Sequence, residues 1–121
     1  MWWVLAILPT ALGGPARVEQ VELELLRPDG QSFAVHELER PQGGEQVVIP
    51  DGDRAWQVAL ARKEYDGRLE ICADLSSWGA DGQRLGLAQS CVVLPGRDSP
   101  SATTLTRTDD VHLRLTVHRG T

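Results

Sequence analysis

The stretch from Arg68 to Pro95 most constrains what this chain can fold into, because its apolar pattern, its turn and the chain's two cysteines agree on one strand pairing. Asp81-Gly82 is a dipeptide favoured in two-residue type I′ turns, where both central residues need φ > 0. With that turn, Leu69 faces Leu94, Ile71 faces Val92, Ala73 faces Ser90 and Leu75 faces Ala88, so two apolar rows of period two share one side of a sheet. A slip of one residue destroys the match. The other side then carries Trp78 against Leu85, Asp74 against Gln89 and Cys72 against Cys91. The cysteines play no part in choosing this register, so their coincidence supports it independently. It predicts a Cys72–Cys91 disulfide, with two free, half-buried thiols as the alternative. Counted outward from a turn closed by Ala80 and Gln83, the cysteines occupy a hydrogen-bonded pair, with Cα atoms about 5.5 Å apart.

The same logic extends along the chain. Arg17 to Leu26 alternates Val21, Leu23 and Leu25 against Glu22 and Glu24, the mark of a strand with one wet side. Pro28-Asp29-Gly30 predicts a three-residue hairpin loop with Gly30 in the left-handed region, which sets Leu25 opposite Phe33 and Leu23 opposite Val35. Glu39 to Glu45, with Pro41 and Gly43-Gly44, is a loop or a crossing between sheets. Gln46 to Ile49, Ala55 to Arg62 (Trp56, Val58 and Leu60 inward), Ala102 to Arg107 and Val111 to His118 (Val111, Leu113, Leu115 and Val117 inward) read as further strands. Four Asp-Gly turns make Val18 to Leu94 look like a run of antiparallel neighbours. The sum is an all-β domain of about eight antiparallel strands, rich in hairpins, curled into a sandwich or a partly closed barrel to bury its apolar face.

Met1 to Ala16 contains no charged residue, and its apolar run Trp2 to Leu8 leads through Pro9 into small residues. That order predicts a signal peptide over residues 1–16, cleaved between Ala11 and Arg17, followed by a single domain over 17–121 that is periplasmic or secreted. The segment lacks a basic beginning, and an apolar first strand is the other reading. The apolar run from Trp2 to Leu12 is much shorter than the ~20 residues a spanning helix needs, so the chain is not expected to cross a membrane. A net charge of −5 with unclustered Lys and Arg argues against nucleic acid as a partner.

No stretch specifies a reaction. There is no Gly-x-Ser-x-Gly, no phosphate-cradling glycine loop before a helix, and no histidine or C-x-x-C partner near either cysteine. His112 and His118 are about 20 Å apart if both lie on one strand, too far to share a metal. Asp51-Gly52-Asp53 is explained by a turn rather than by a calcium loop, which needs oxygens from many more positions. The chain therefore reads as no enzyme, with no cofactor and no metal ligands. What stands out is Trp78, Leu85, Leu87 and Val93, apolar residues on the hairpin side that should be wet. Either the hairpin is covered on both faces, or these four form an exposed patch for a partner.

Leu87-Ala88-Gln89-Ser90-Cys91-Val92-Val93-Leu94-Pro95-Gly96, followed by Ser101-Ala102-Thr103-Thr104-Leu105 and a closing Leu113 to Val117, resembles a pattern in small, mostly uncharacterised exported β domains of proteobacteria. The resemblance implies an exported all-β domain and no particular activity. The expected function is a non-catalytic exported module that binds a protein or cell-envelope partner through a sheet face or its loops. The alternative is a small-ligand or metal-binding periplasmic carrier that uses a barrel interior or the histidines.

Overall fold

The computed structural model describes residues 19–96 and 98–119, so the predicted signal segment lies outside the described residues. Among the described residues, eight strands follow one another with no helix between them: β1 (Gln20–Leu26), β2 (Ser32–Glu39), β3 (Gln46–Asp51), β4 (Arg54–Tyr65), β5 (Arg68–Trp78), β6 (Arg84–Leu94), β7 (Ser101–Arg107) and β8 (His112–His118). They form two four-stranded antiparallel sheets, in the orders β2-β1-β8-β7 and β3-β4-β5-β6. The architecture is therefore a sandwich and not a closed barrel. Alternation supplies the core. Val21, Leu23 and Leu25 with Leu113, Leu115 and Val117 from one sheet join Trp56, Val58, Leu60, Leu69, Ile71 and Leu75 from the other in one buried cluster. Every inward position expected on β4 and β8 is buried.

The chain changes sheet between β2 and β3 and again between β6 and β7, and the first change breaks the expected run of neighbours from Val18 to Leu94. Residues 40–45 make this first crossing through backbone conformations with positive φ at Arg40, Gly43 and Gly44. The Glu45 carboxylate accepts from the Gln42 and Gly43 N–H groups at 2.7 and 2.9 Å, which holds its pKa below the usual value. Gly44 N–H donates to Leu60 O and Leu60 N–H to Glu45 O, so β4 anchors the crossing. A Cβ on Gly43 would stand 3.2 Å from the Arg62 nitrogen, and with φ at +98° only glycine sits there without strain.

Two hairpins differ from expectation near their loops. The loop between β5 and β6 is three residues long, not two: Gly79 N–H donates to Gln83 O, Gly82 N–H to Gly79 O, and only Gly82 of the Asp81-Gly82 pair has positive φ, +81°. Near this loop Trp78 therefore pairs with Arg84 and Ser77 with Leu85. A bulge then adds Leu87 to β6, and from Leu75–Ala88 outward to Leu69–Leu94 every pair is as expected. The loop between β1 and β2 has the expected three residues, with Gly30 at φ +96°. Here a bulge at Phe33 shifts the ladder, so Leu25 meets Ala34 and Leu23 meets His36. Val35 consequently lies on the outer face, 53% exposed, and the expected Leu23–Val35 and Leu25–Phe33 pairs do not form.

A bidentate clasp ties the sheets together at each end. At one end Arg27 Nη1 and Nη2 donate to Asp51 Oδ2 and Oδ1 at 2.7 and 3.0 Å, and Trp56 Nε1 donates to Asp51 Oδ2 at 3.0 Å. These donors, Arg27 first, hold the Asp51 carboxyl at about 2. Arg27 also lies 3.8 Å over the Phe33 ring. At the other end Arg62 Nε and Nη2 donate to Glu19 Oε2 and Oε1 at 3.0 and 2.9 Å, with both side chains mostly buried. That bonding raises the Arg62 pKa. Planar fork-to-carboxylate pairs of this kind set geometry as well as adding energy, so they fix how the two sheets align.

Candidate interaction surface

The outer face of β5–β6 is organised by the disulfide that the register predicted. Cys72 and Cys91 are bonded and directly opposite, with Cα atoms 4.1 Å apart. That separation belongs to a non-hydrogen-bonded pair, not the hydrogen-bonded pair expected from a two-residue loop at Asp81-Gly82. The neighbouring hairpin explains why. Asp66 and Gly67 have φ of +51° and +79° between paired Tyr65 and Arg68, a two-residue type I′ loop closed by a hydrogen-bonded pair. Steps of two from that closure reach Ala61–Cys72, so the backbone groups of Cys72 face β4 and cannot also bond β6.

The same alternation directs the backbone groups of Ser90, Val92 and Leu94 toward β5, and those of Gln89, Cys91 and Val93 toward the sheet edge, where no strand is hydrogen-bonded among the described residues. Strand β6 is thus an edge strand of 11 residues whose single charged side chain, Arg84, stands at its start. Edge strands of that length normally carry charges, prolines or covering elements. Strand β7, the nearest edge of the other sheet, is not hydrogen-bonded to it.

The four residues expected to share a patch are divided by the Leu87 bulge. Trp78 lies on the outer face, 37% exposed, with its Nε1 donating to Gln57 Oε1 at 2.6 Å. Arg84 joins it there, donating from Nε to Ser76 Oγ at 3.2 Å. Leu85 pairs with Ser77, whose side lies opposite that of Trp78, and it protrudes at the hairpin tip, 61% exposed. Leu87 is half-buried against the core. Val93 is exposed on the outer face beside Cys91. Among the described residues the hairpin is therefore neither covered on both faces nor lined by one patch. It presents Trp78 and Val93 at two places on the outer face, and Leu85 at the tip.

Other candidates separate. His36 is on β2, and His112 and His118 are on the outer face of β8, so the three imidazoles do not converge. Among the described residues, the tight group of metal-ligating types is Glu70, Cys72 and Cys91, whose sulfurs are engaged in the disulfide. Asp51 closes a turn as expected, but its pairing with Arg27 and Trp56 was invisible in local sequence, since Arg27 is 24 residues away on the other sheet. A surface hollow of about 400 Å³ over Leu26, rimmed by Leu105, Arg107, His112 and Arg114, was equally illegible. Comparison of the chain with protein-family models, curated proteins and solved structures finds no match in any of the three.

Proposed function

We propose that this chain is a non-catalytic, exported β-sandwich module that binds a protein or cell-envelope partner along the β6 edge. The observation that carries this reading is the edge itself. Its outward backbone groups at Gln89, Cys91 and Val93 have no strand hydrogen-bonded to them among the described residues, and the side chains of Val93 and Leu85 are exposed. An extended partner segment would supply the missing ladder through main-chain hydrogen bonds, while Val93 and its neighbours would choose among side chains. The disulfide stiffens that edge before binding and so lowers the ordering cost.

The Cys72–Cys91 bond and the lack, among the described residues, of any helix long and apolar enough to cross a membrane are compatible with a location outside the cytoplasm. Intact-mass measurement on protein exported by a bacterial host tests the export reading, since a retained Trp2-Trp3 would contradict cleavage between Ala11 and Arg17. Partner binding is tested with immobilised protein and envelope extract, using Val93→Lys as the edge-blocked control. A species retained by the parent protein and lost with Val93→Lys is expected. Equal retention by both sinks the edge as the binding surface.

A further inference from the structure

We infer that, once its disulfide is reduced, the β5–β6 hairpin binds a thiophilic divalent cation such as Zn²⁺ through Cys72, Cys91 and Glu70. This inference does not rest on partner binding at the edge, although the site shares Cys91 with it. Glu70 is two residues before Cys72, hence on the same outer face. The two sulfurs and a Glu70 carboxylate oxygen already lie within 4.8 Å of one another. Zinc takes thiolate sulfur at about 2.3 Å and carboxylate oxygen at about 2.0–2.2 Å, which places tetrahedral ligand atoms roughly 3.5–3.8 Å apart. The sulfurs must separate and the carboxylate must approach slightly, movements that side-chain rotation can supply. The neighbouring basic groups do not block the position: Arg62 is bonded to Glu19, and Lys63 extends over the Tyr65 ring at 5.4 Å. A hollow of about 270 Å³ beside Glu70 and Cys72 leaves room for water as the fourth ligand.

The backbone keeps the ligands together without the covalent bond. Leu69, Ile71, Ala73 and Leu75 are buried under the same hairpin, and their pairs with Leu94, Val92, Ser90 and Ala88 hold Cys72 opposite Cys91 whatever the oxidation state. Cys91 is exposed and Cys72 half-buried, so an incoming thiolate reaches Cys91 Sγ first. In thiol–disulfide exchange an external dithiol supplies the two electrons. Its thiolate forms a bond to Cys91 Sγ as the Cys72–Cys91 bond breaks and Cys72 leaves as a thiolate. The second thiol of the reductant, as its thiolate, then attacks the mixed disulfide and expels Cys91 as a thiolate. Two electrons pass to the protein and the reductant departs as its own disulfide. Any protons the two sulfurs take up are released to solvent when the cation binds.

The test uses the full chain, reduced with a phosphine, freed of reductant under nitrogen and titrated with Co²⁺ alone, then with Zn²⁺. Expected is a thiolate-to-cobalt charge-transfer absorption that saturates at one equivalent and is bleached by Zn²⁺, with the β-sheet circular dichroism of the oxidised protein retained. The oxidised protein should give no such band, Cys91→Ser should abolish the one-equivalent band, and Glu70→Gln should weaken Co²⁺ binding at least tenfold. The site is overturned if the reduced protein shows no band at millimolar Co²⁺, if reduction dissolves the sheet, or if Glu70→Gln binds Co²⁺ as tightly as the parent.

Discussion

The β5–β6 and β1–β2 hairpins are built with the same device and reward sequence reading differently. Each has a three-residue loop with glycine in the left-handed region at its third position, Gly82 and Gly30, followed by a bulge on the returning strand. In each the extra residue, Leu87 or Phe33, is apolar and packs half-buried against the core. In β5–β6 the unexpected loop length and the bulge offset one another, so the expected pairing holds from Leu75–Ala88 onward. In β1–β2 the loop is as expected and the bulge is uncompensated, so every pair after it moves by one. A register inferred at a loop is thus only as good as the count of bulges beyond it. Independent markers far from the loop, such as Cys72 and Cys91, are what reveal an offset.

The largest test of the contrast is in the core rows. Ile71→Ala should cost about 2–5 kcal/mol, because a buried aliphatic side chain is lost from a central strand. Val35→Ala, at a position that the unbulged register would bury opposite Leu23, should change stability by no more than about 0.5 kcal/mol. Chemical denaturation measures both, and a cost above about 1.5 kcal/mol for Val35→Ala would restore the unbulged ladder.

Next in size is the covalent tie that one hairpin has and the other lacks. Replacing Cys72 and Cys91 together by Ala should lower stability by about 3 kcal/mol in the chain-entropy model, for a loop spanning 19 residues, while leaving the circular dichroism unchanged. Loss of the β spectrum in the double variant would mean that the bond, not the apolar rows, sets the register.

The β1–β2 hairpin is held instead by the Arg27–Asp51 clasp, which makes it sensitive to acid. The folded Asp51 carboxyl is depressed to about 2 by Arg27 and Trp56, below the ordinary value of about 3.9. The unfolded chain therefore takes up this proton first, and the clasp's contribution is complete above about pH 4 and lost as pH falls through about 2. Stability of the parent should fall more steeply than that of Asp51→Asn over this window, by denaturation at stepped pH. Parallel curves would remove the clasp from the account.

The smallest expected effect discriminates between the two possible β5–β6 loops. Ala80 sits at the second position of the turn from Gly79 to Gly82, where proline is favoured, so Ala80→Pro should be neutral or stabilising by up to about 1 kcal/mol in melting experiments. In a two-residue loop Ala80 would belong to the closing pair, and the same change would remove a ladder bond and destabilise the domain.

Sequence alone determined the strands, the inward rows of β1, β4, β5 and β8 and the pairing of Cys72 with Cys91, because period-two alternation and Asp-Gly turns act over a few residues and repeat the same message. It left open sandwich against barrel, missed the bulges at Phe33 and Leu87, and so set Val35 inward and Trp78 opposite Leu85. Those were decided by which extra apolar residue could reach the core once the second sheet was in place. The clasps Arg27–Asp51 and Arg62–Glu19 join residues 24 and 43 positions apart, across two sheets whose alignment no local pattern encodes. Local rules choose the face a residue shows within its own sheet; what that face meets depends on packing between sheets, and only the tertiary structure supplies it.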